Sequence, residues 1–406
     1  MILFSFIAIA TVPETRSKPA AFDNIGKQVS VLKDQHNSFS LDEVIGMGNA
    51  GKFVRSKQSI LNLGNSSAAF WIKIRYQNPG EQNTYLIVDV PNIEHIDFYV
   101  KEGHGGVVHQ HTGSLSAQNT ELPVTNRYLF DLPPTPATSD GKDVYLKVRS
   151  DNIMLVALKI ADAKTLVSSG NFKFILESVY SGILLMLFIF NIFLFISVKD
   201  KTYLYYSIYI AALSIYVVLY LRGYSYILGP DVRRFVNLYP HVFASIATIA
   251  AFFFSWEFLG IKKRVPKMVP VYKVMITLWT VLLIIAIFGG KSILATVVNY
   301  FTLISCLIAW YAGLCAYRNG LKPALYFLIA WLVVGLSFVI ALLGITNVIP
   351  YYDLSYEVGR LEQPLKCYSS LLHWATVLTT STRRRSALKR KTCSWYFHTM
   401  KNWSRL

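Results

Sequence analysis

Apolar positions along this chain follow two different rules, and the change from one to the other falls near residue 165. From Phe22 to Asp162 apolar and polar residues alternate. In "AFWIKIRY", Phe70, Ile72, Ile74 and Tyr76 share one face while Trp71, Lys73 and Arg75 share the other. "VYLKVRS" sets Val144, Leu146 and Val148 against Tyr145, Lys147 and Arg149, and "IMLVALKI" continues with Met154, Val156, Leu158 and Ile160. Side chains on a strand point alternately to opposite faces, so the pattern predicts antiparallel strands with one face on a core and one in water. "YLIVDVPNIEHIDFYV" reads as two strands about a Pro91-Asn92 turn, and "LPPTPATSDG" as a loop. No stretch reads as a helix of useful length. The expectation for residues 22–165 is an all-β sandwich or jelly roll.

Beyond that point the alternation gives way to long apolar runs. Six are long enough for the roughly 20 residues that cross a bilayer: Ile175–Val198, Tyr203–Leu221, Val236–Leu259, Val269–Phe288, Ile293–Ala316 and Ala324–Ile345. Lipid offers no hydrogen-bond partner to open backbone, so residues 172–360 are expected to form a compact helical bundle. If the β-domain lies outside, the inner connections carry Lys199, Lys201, Lys262, Lys263, Arg264, Lys267, Arg318 and Lys322. The outer ones carry only Arg222, Arg233, Arg234 and Lys291. That asymmetry obeys the positive-inside rule and places the N-terminal domain outside the cytoplasm.

Composition fits this division. The chain has 406 residues, 53% hydrophobic and 16% charged, with a mean hydropathy of +0.39, as for a membrane protein with a sizeable soluble part. A net charge of +17 would suit a nucleic-acid binder. However, the excess sits beside apolar segments and in the tail, and no recognition motif accompanies it, so nucleic acid is not an expected partner. All four cysteines lie beyond the β-domain, which therefore needs no disulfide framework. Cys306 and Cys315 read as small packing residues.

The two ends read differently from the middle. "MILFSFIAIATVPE", within residues 1–21, is an apolar start of signal-peptide type without a basic n-region. From 361 to 406 the apolar pattern collapses into a tail with nine Lys/Arg and one acid, Glu362. Its longest apolar run, "CYSSLLHWATVL", is too short to cross a bilayer. Back-translated with free codon choice and displaced by two nucleotides, the tail can be read as an apolar helix followed by an acidic, heptad-like linker. The expectation is a tail out of frame, with a genuine basic tail on the cytoplasmic face as the alternative.

An exported β-domain running directly into a helical bundle resembles the bacterial seven-transmembrane receptors with diverse intracellular signalling modules. The likeness rests on "LNLGNSSAAFWIKIRYQN" and "IDFYV" in the first part. In the second it rests on "SGILLMLFIFNIFLF", "KDKTYLYYSIY", "FFFSWEFLGIKKRVPKM" and "NVIPYYDLSYEVG". The resemblance implies a sensor of an extracytoplasmic, carbohydrate-like ligand in the bacterial inner membrane, acting as a homodimer. It also implies a seventh helix and a cyclase or kinase output module that this chain lacks. The alternative function is a transporter or channel with an accessory exported domain, although no internal repeat or Gly/Pro-interrupted span supports one.

Candidate chemistry is sparse. No phosphate loop, nucleophile elbow or paired metal-binding cysteines occur, so no enzyme activity and no cofactor are expected of the chain itself. Trp71, Tyr76, Tyr99 and Tyr128 could form the sugar-stacking platform that the resemblance implies. Tyr76 alternates with core residues, which leaves Trp71, Tyr99 and Tyr128, joined by Arg75 on the face of Trp71, as the ligand candidates. His104, His109 and His111, with His95 nearby, are weak metal candidates that a Gly-rich loop explains as well. Asp97 and Asp151 stand alone and read as solvated or turn residues. Among intramembrane polar groups, Glu177, Glu257 and Lys273 are expected to reach the headgroups, His241 is a further group to weigh, and Asn191 and Asn299 are expected to hydrogen-bond between helices.

Overall fold

The computed structural model describes residues 23–78, 83–101, 106–116, 125–136, 141–289 and 291–346. The signal-like start, His104, and the tail from 361 to 406 lie outside the described residues.

The N-terminal domain is a two-layered β-structure. Its larger sheet has the order β2-β1-β4-β9-β6-β7, formed by Ser30–Asp34 (β1), Val54–Arg55 (β2), Ala69–Tyr76 (β4), His95–Lys101 (β6), Val107–Thr112 (β7) and Lys142–Arg149 (β9). The opposing layer holds β11-β5-β8, formed by Thr84–Val88 (β5), Tyr128–Leu132 (β8) and Leu158–Asp162 (β11), and a separate pair of Leu61–Gly64 (β3) with Met154–Val156 (β10). Alternation does what it predicts. Ile72, Ile74, Phe98, Leu146 and Val148 from the larger sheet meet Leu86, Val88, Phe130 and Leu158 in one buried core, with the rings of Phe98 and Phe130 stacked 4.7 Å apart. The run from Met154 to Ile160 is two strands in different sheets, because a bulge after Met154 and the step at Ala157 carry the chain across. Likewise, the strands flanking Pro91-Asn92 pair in opposite layers, so that turn links the two sheets.

One helix interrupts the β-text. Leu41–Asn49 (α1) starts at a capping box, in which Glu43 N–H donates to Ser40 Oγ and Ser40 N–H donates to the Glu43 carboxylate. The expectation of no helix is therefore corrected. Nine residues show too little periodicity to stand out, but the Ser40-x-x-Glu43 spacing is the local start signal. Val44 and its neighbours Leu41 and Ile45 turn onto the outer face of the larger sheet and cover Trp71 and Tyr145.

Asp162, the last residue of β11, is also the N-cap of the first long helix, Ala163–Val198 (α2), and accepts from Thr165 N–H at 3.1 Å. No linker separates the two domains. Among the described residues, six helices long and apolar enough to cross a membrane follow. They are α2; Lys201–Ser214 (α3), continued to Leu221 by a π-helical stretch; Pro240–Leu259 (α5); Val269–Ile287 (α6); Lys291–Arg318 (α7); and Ala324–Ile345 (α8). The run from Val236 breaks at Tyr239 rather than continuing. Pro230–Leu238 (α4) ends there because Pro240 cannot donate and disfavours helical backbone before it. Met186, Phe193, Phe288 and Ile293 are among many large apolar side chains left outward-facing on these helices, as surfaces that meet lipid require.

Inside the bundle, Trp279 Nε1 donates to Ser305 Oγ at 2.8 Å and Ser255 Oγ lies 3.2 Å from the Tyr272 hydroxyl. Among the described residues, Asn191 and Asn299 have no hydrogen bond between helices. Each donates four residues back along its own helix, to Leu187 O at 2.8 Å and Ala295 O at 2.7 Å. Gly313 on α7 lies so close to α8 that a Cβ would sit 2.9 Å from Phe327 Cδ1. Gly313→Leu is therefore expected to destabilise the bundle by about 1–3 kcal/mol through overpacking. Phe327→Ala added to it should return part of that loss. Thermal unfolding in detergent of the two variants checks this, and equal midpoints for wild type and Gly313→Leu would refute the close contact.

Candidate functional site

The outward face of the larger sheet is assembled in rows across the strands. One row runs from His111 on β7 to Asp97 on β6, Lys147 on β9, Trp71 on β4 and Leu32 on β1. The row beside it begins with His95 opposite Arg149. α1 covers the Trp71 end and leaves the other end open. There His95, Asp97, His111, Lys147 and Arg149, with Asn37 at the lip, line a cavity of about 140 Å³. Asn37 is held at the lip by a tight turn: its φ is +54°, and the Asp34 carboxylate caps the turn by accepting from Ser38 and Phe39 N–H, each at 3.0 Å.

Asp97 is the hub of this pocket. One carboxylate oxygen meets His109 Nε2 at 2.9 Å and His111 Nδ1 at 2.7 Å, and Ser116 Oγ lies 2.9 Å from His111 Nε2. The lone, solvated role expected of Asp97 is thus corrected. Its partners sit on the next strand, beyond the reach of a local pattern. Among the described residues no group of three His, Cys, Asp or Glu is arranged to hold a metal ion. The two imidazoles are spent on Asp97 instead.

The aromatic platform does not form. Trp71 is 1% exposed beneath α1, and its ring stacks on Tyr99 at 5.4 Å. Tyr99 is stacked on its other side by His109 at 4.5 Å, so both its faces are taken. Arg75 lies at the far end of β4, with its Nε 3.9 Å from Asp143. Tyr128 is buried at the base of the domain: its hydroxyl donates to Pro91 O at 2.8 Å and accepts from Arg233 Nη2 at 2.8 Å. Burial pushes its phenol up to about 12, so it remains a donor at any ordinary pH. Period-2 reading gives the face of each residue correctly but not what lies over it.

Tyr128 belongs to a second polar assembly, the junction between sheet and bundle. Lys291 at the start of α7 forms an ion pair with Glu94, and both side chains are at most 10% exposed. Lys291 also donates to Asn237 O, and the other Glu94 oxygen accepts from Asp151 N–H at 2.8 Å. Around this pair, Asn126 donates to Arg222 O at 3.0 Å, Asn65 to Ser292 O at 2.9 Å, and Asn62 to Ile345 O at 2.9 Å. Gly223, with φ of +74°, packs so tightly on Pro91 that a Cβ would fall 2.2 Å from Pro91 Cβ. Glu177 is not at a headgroup: it is 5% exposed, accepts from the Tyr224 hydroxyl, and lies 3.8 Å from Arg222. Glu257 and Lys273 are exposed near helix ends. His241 is buried at the base of the junction, with neither ring nitrogen hydrogen-bonded among the described residues.

Pocket and junction meet at one point. Glu94 enters the junction, and the next residue, His95, opens β6 and lines the pocket.

Comparison with known proteins completes this description. A family model described as 7TM diverse intracellular signalling matches residues 173–359, and one described as 7TMR-DISM extracellular 2 matches residues 26–162. No curated protein matches the chain significantly.

Lys291→Met should strand the Glu94 carboxylate in a buried site and cost about 3–5 kcal/mol, while adding Glu94→Gln should recover much of that. Thermal melts of the two variants decide it, and additive losses would show that the pair is not coupled. His95 has its own pH signature. Burial, then the Arg149 guanidinium, hold its protonation below the usual range. The unfolded chain, titrating near 6.5, therefore binds more protons than the folded one as pH falls through that value. Stability is full above about 6.5 and is lost as pH falls toward the lower folded value. Denaturant midpoints at about pH 7.5 and about pH 5.5 should differ less for His95→Gln than for wild type.

Proposed function

Since this chain belongs to the seven-transmembrane receptors with diverse intracellular signalling, we propose that it senses a small hydrophilic solute on the outer side of the bacterial inner membrane. The solute binds the pocket of His95, Asp97, His111, Lys147 and Arg149, and the bundle carries the change in packing inward. The observation that supports this most is the adjacency of Glu94 and His95. One residue step separates a buried ion pair to α7 from the pocket wall. A ligand that shifts β6 therefore acts on a helix end directly. For that to signal, the solute must bind one junction geometry better than another.

The basic residues support this orientation. Those on the far side of the bundle outnumber those on the β-domain side, and Arg222, Arg233 and Lys291 on the β-domain side are engaged by Glu177, Tyr128 and Glu94. A carbohydrate-like solute suits the many hydrogen-bonding groups of the pocket, although it would be held by its hydroxyls rather than by ring stacking. A dimer and a cyclase or kinase output remain part of the same reading, by likeness to the family.

Hydrogen exchange of the full chain in nanodiscs tests the coupling. A bound solute is expected to slow exchange in β6 and at the start of α7 together, and Lys291→Met should abolish the α7 response while leaving β6 protected. Protection confined to β6 in the wild type would overturn the sensing role.

A further inference from the structure

Two carboxylates stand near the pocket cations, and both are engaged elsewhere. Asp34 caps the turn through Ser38 and Phe39 N–H, and Glu94 is paired with Lys291. Asp97, inside the pocket, is shared by His109 and His111. The cations are not matched in the same way. Among the described residues neither Arg149 nor Lys147 has a hydrogen bond or ion pair; the Lys147 Nζ lies 5.1 Å from the centre of the Trp71 ring and feels the Asp34 carboxylate only through space. Both project from the same face of β9, one residue between them, roughly 6.6 Å apart along the strand. Like charges so placed repel each other and weaken the sheet unless something neutralises them.

We propose that the pocket is an anion site, and that the solute sensed carries a carboxylate or phosphate group held between Arg149 and Lys147. This rests on the pocket being the ligand site proposed above. Arg149 supplies a planar fork suited to two oxygens of one anion, and Lys147 a point charge beside it. His95 and Asn37 border the same space and offer neutral hydrogen-bonding groups to the rest of the solute. A cavity of about 140 Å³ has the room of roughly four or five water molecules. That suits an acidic monosaccharide or a smaller anion better than a chain of sugars.

The test uses the full chain in nanodiscs of zwitterionic lipid, with galacturonate, inorganic phosphate and neutral galactose as separate probes. Galacturonate or phosphate is expected to bind with a dissociation constant at or below about 1 mM and to raise the unfolding midpoint. Galactose should bind at least about tenfold more weakly. Arg149→Met and Lys147→Met should each weaken anion binding about tenfold, and Arg149→Lys should restore only part of it, losing the fork but keeping the charge. A second arm replaces the zwitterionic lipid with anionic lipid. Loss of soluble-anion binding there, together with an unfolding midpoint that anionic lipid raises in the wild type but not in Arg149→Met, would identify a headgroup phosphate as the source of the same anion. Failure of every anion to bind, or equal binding of galactose and galacturonate with Arg149→Met unchanged, overturns the proposal. If an anion binds through Arg149 but α7 exchange does not respond, the anion site stands and the sensing role falls. If galactose binds as tightly as galacturonate, with Arg149→Met unchanged, and α7 responds, the reverse holds.

Discussion

A carboxylate and an ammonium taken out of water must find each other, and the Glu94–Lys291 pair imposes that requirement across the boundary between two domains. Desolvating either group alone costs several kcal/mol, so a geometry that separates them is strongly disfavoured. The surrounding contacts become intelligible on that basis. Asp151 N–H and Asn237 O supply the remaining hydrogen bonds. Arg233 reaches Tyr128, Asn62 and Asn126 occupy carbonyls at the C-terminal ends of helices, and Asn65 donates to Ser292 O in the first turn of α7. Carbonyls at the C-terminal end of a helix have no partner within it, and for Ile345 and Arg222 the β-domain provides one. The sandwich thereby serves as a cap for the bundle as well as a separate module resting on it.

The two polar assemblies of the molecule follow opposite accounting. At the junction nearly every charge has a partner and little water reaches it. In the pocket Lys147 and Arg149 remain partly exposed, with no salt-bridge partner among the described residues. A fold tolerates like charges side by side at a solvated rim far better than in its interior. The difference between the two regions separates what holds the protein together from what is open to a solute.

The fold was largely legible in the chain, for physical reasons. Bilayer thickness fixes a minimum length for each span, so the six runs stand out regardless of how they pack. Strand alternation is equally insensitive to partners, and Ile72, Leu146 and Val148 fall on the core face it assigns. The site was less legible. Trp71 alternates like an exposed residue, yet α1 lies over it; only the Ser40-x-x-Glu43 signal hinted at that helix. Asp97 depends on histidines on the neighbouring strand, and Glu94 finds its partner 197 residues away. Asn191 and Asn299 resemble interhelical glue in sequence but satisfy themselves within one turn, which costs a helix nothing in packing. In the sequence Arg222, Arg233 and Lys291 mark topology alone, while their second role depends on three-dimensional neighbours.

The strand that ends at Asp162 becomes a helix without a single intervening residue. A linker would act as a bearing and let the two parts turn independently. Its absence makes α2 a rigid spoke of the sandwich. Its 36 residues extend for about 54 Å, so a tilt of about five degrees at the sheet edge sweeps the distant tip through roughly 5 Å. A movement too small to disturb the core of the sandwich would arrive at the opposite membrane surface as a displacement comparable to one helical pitch.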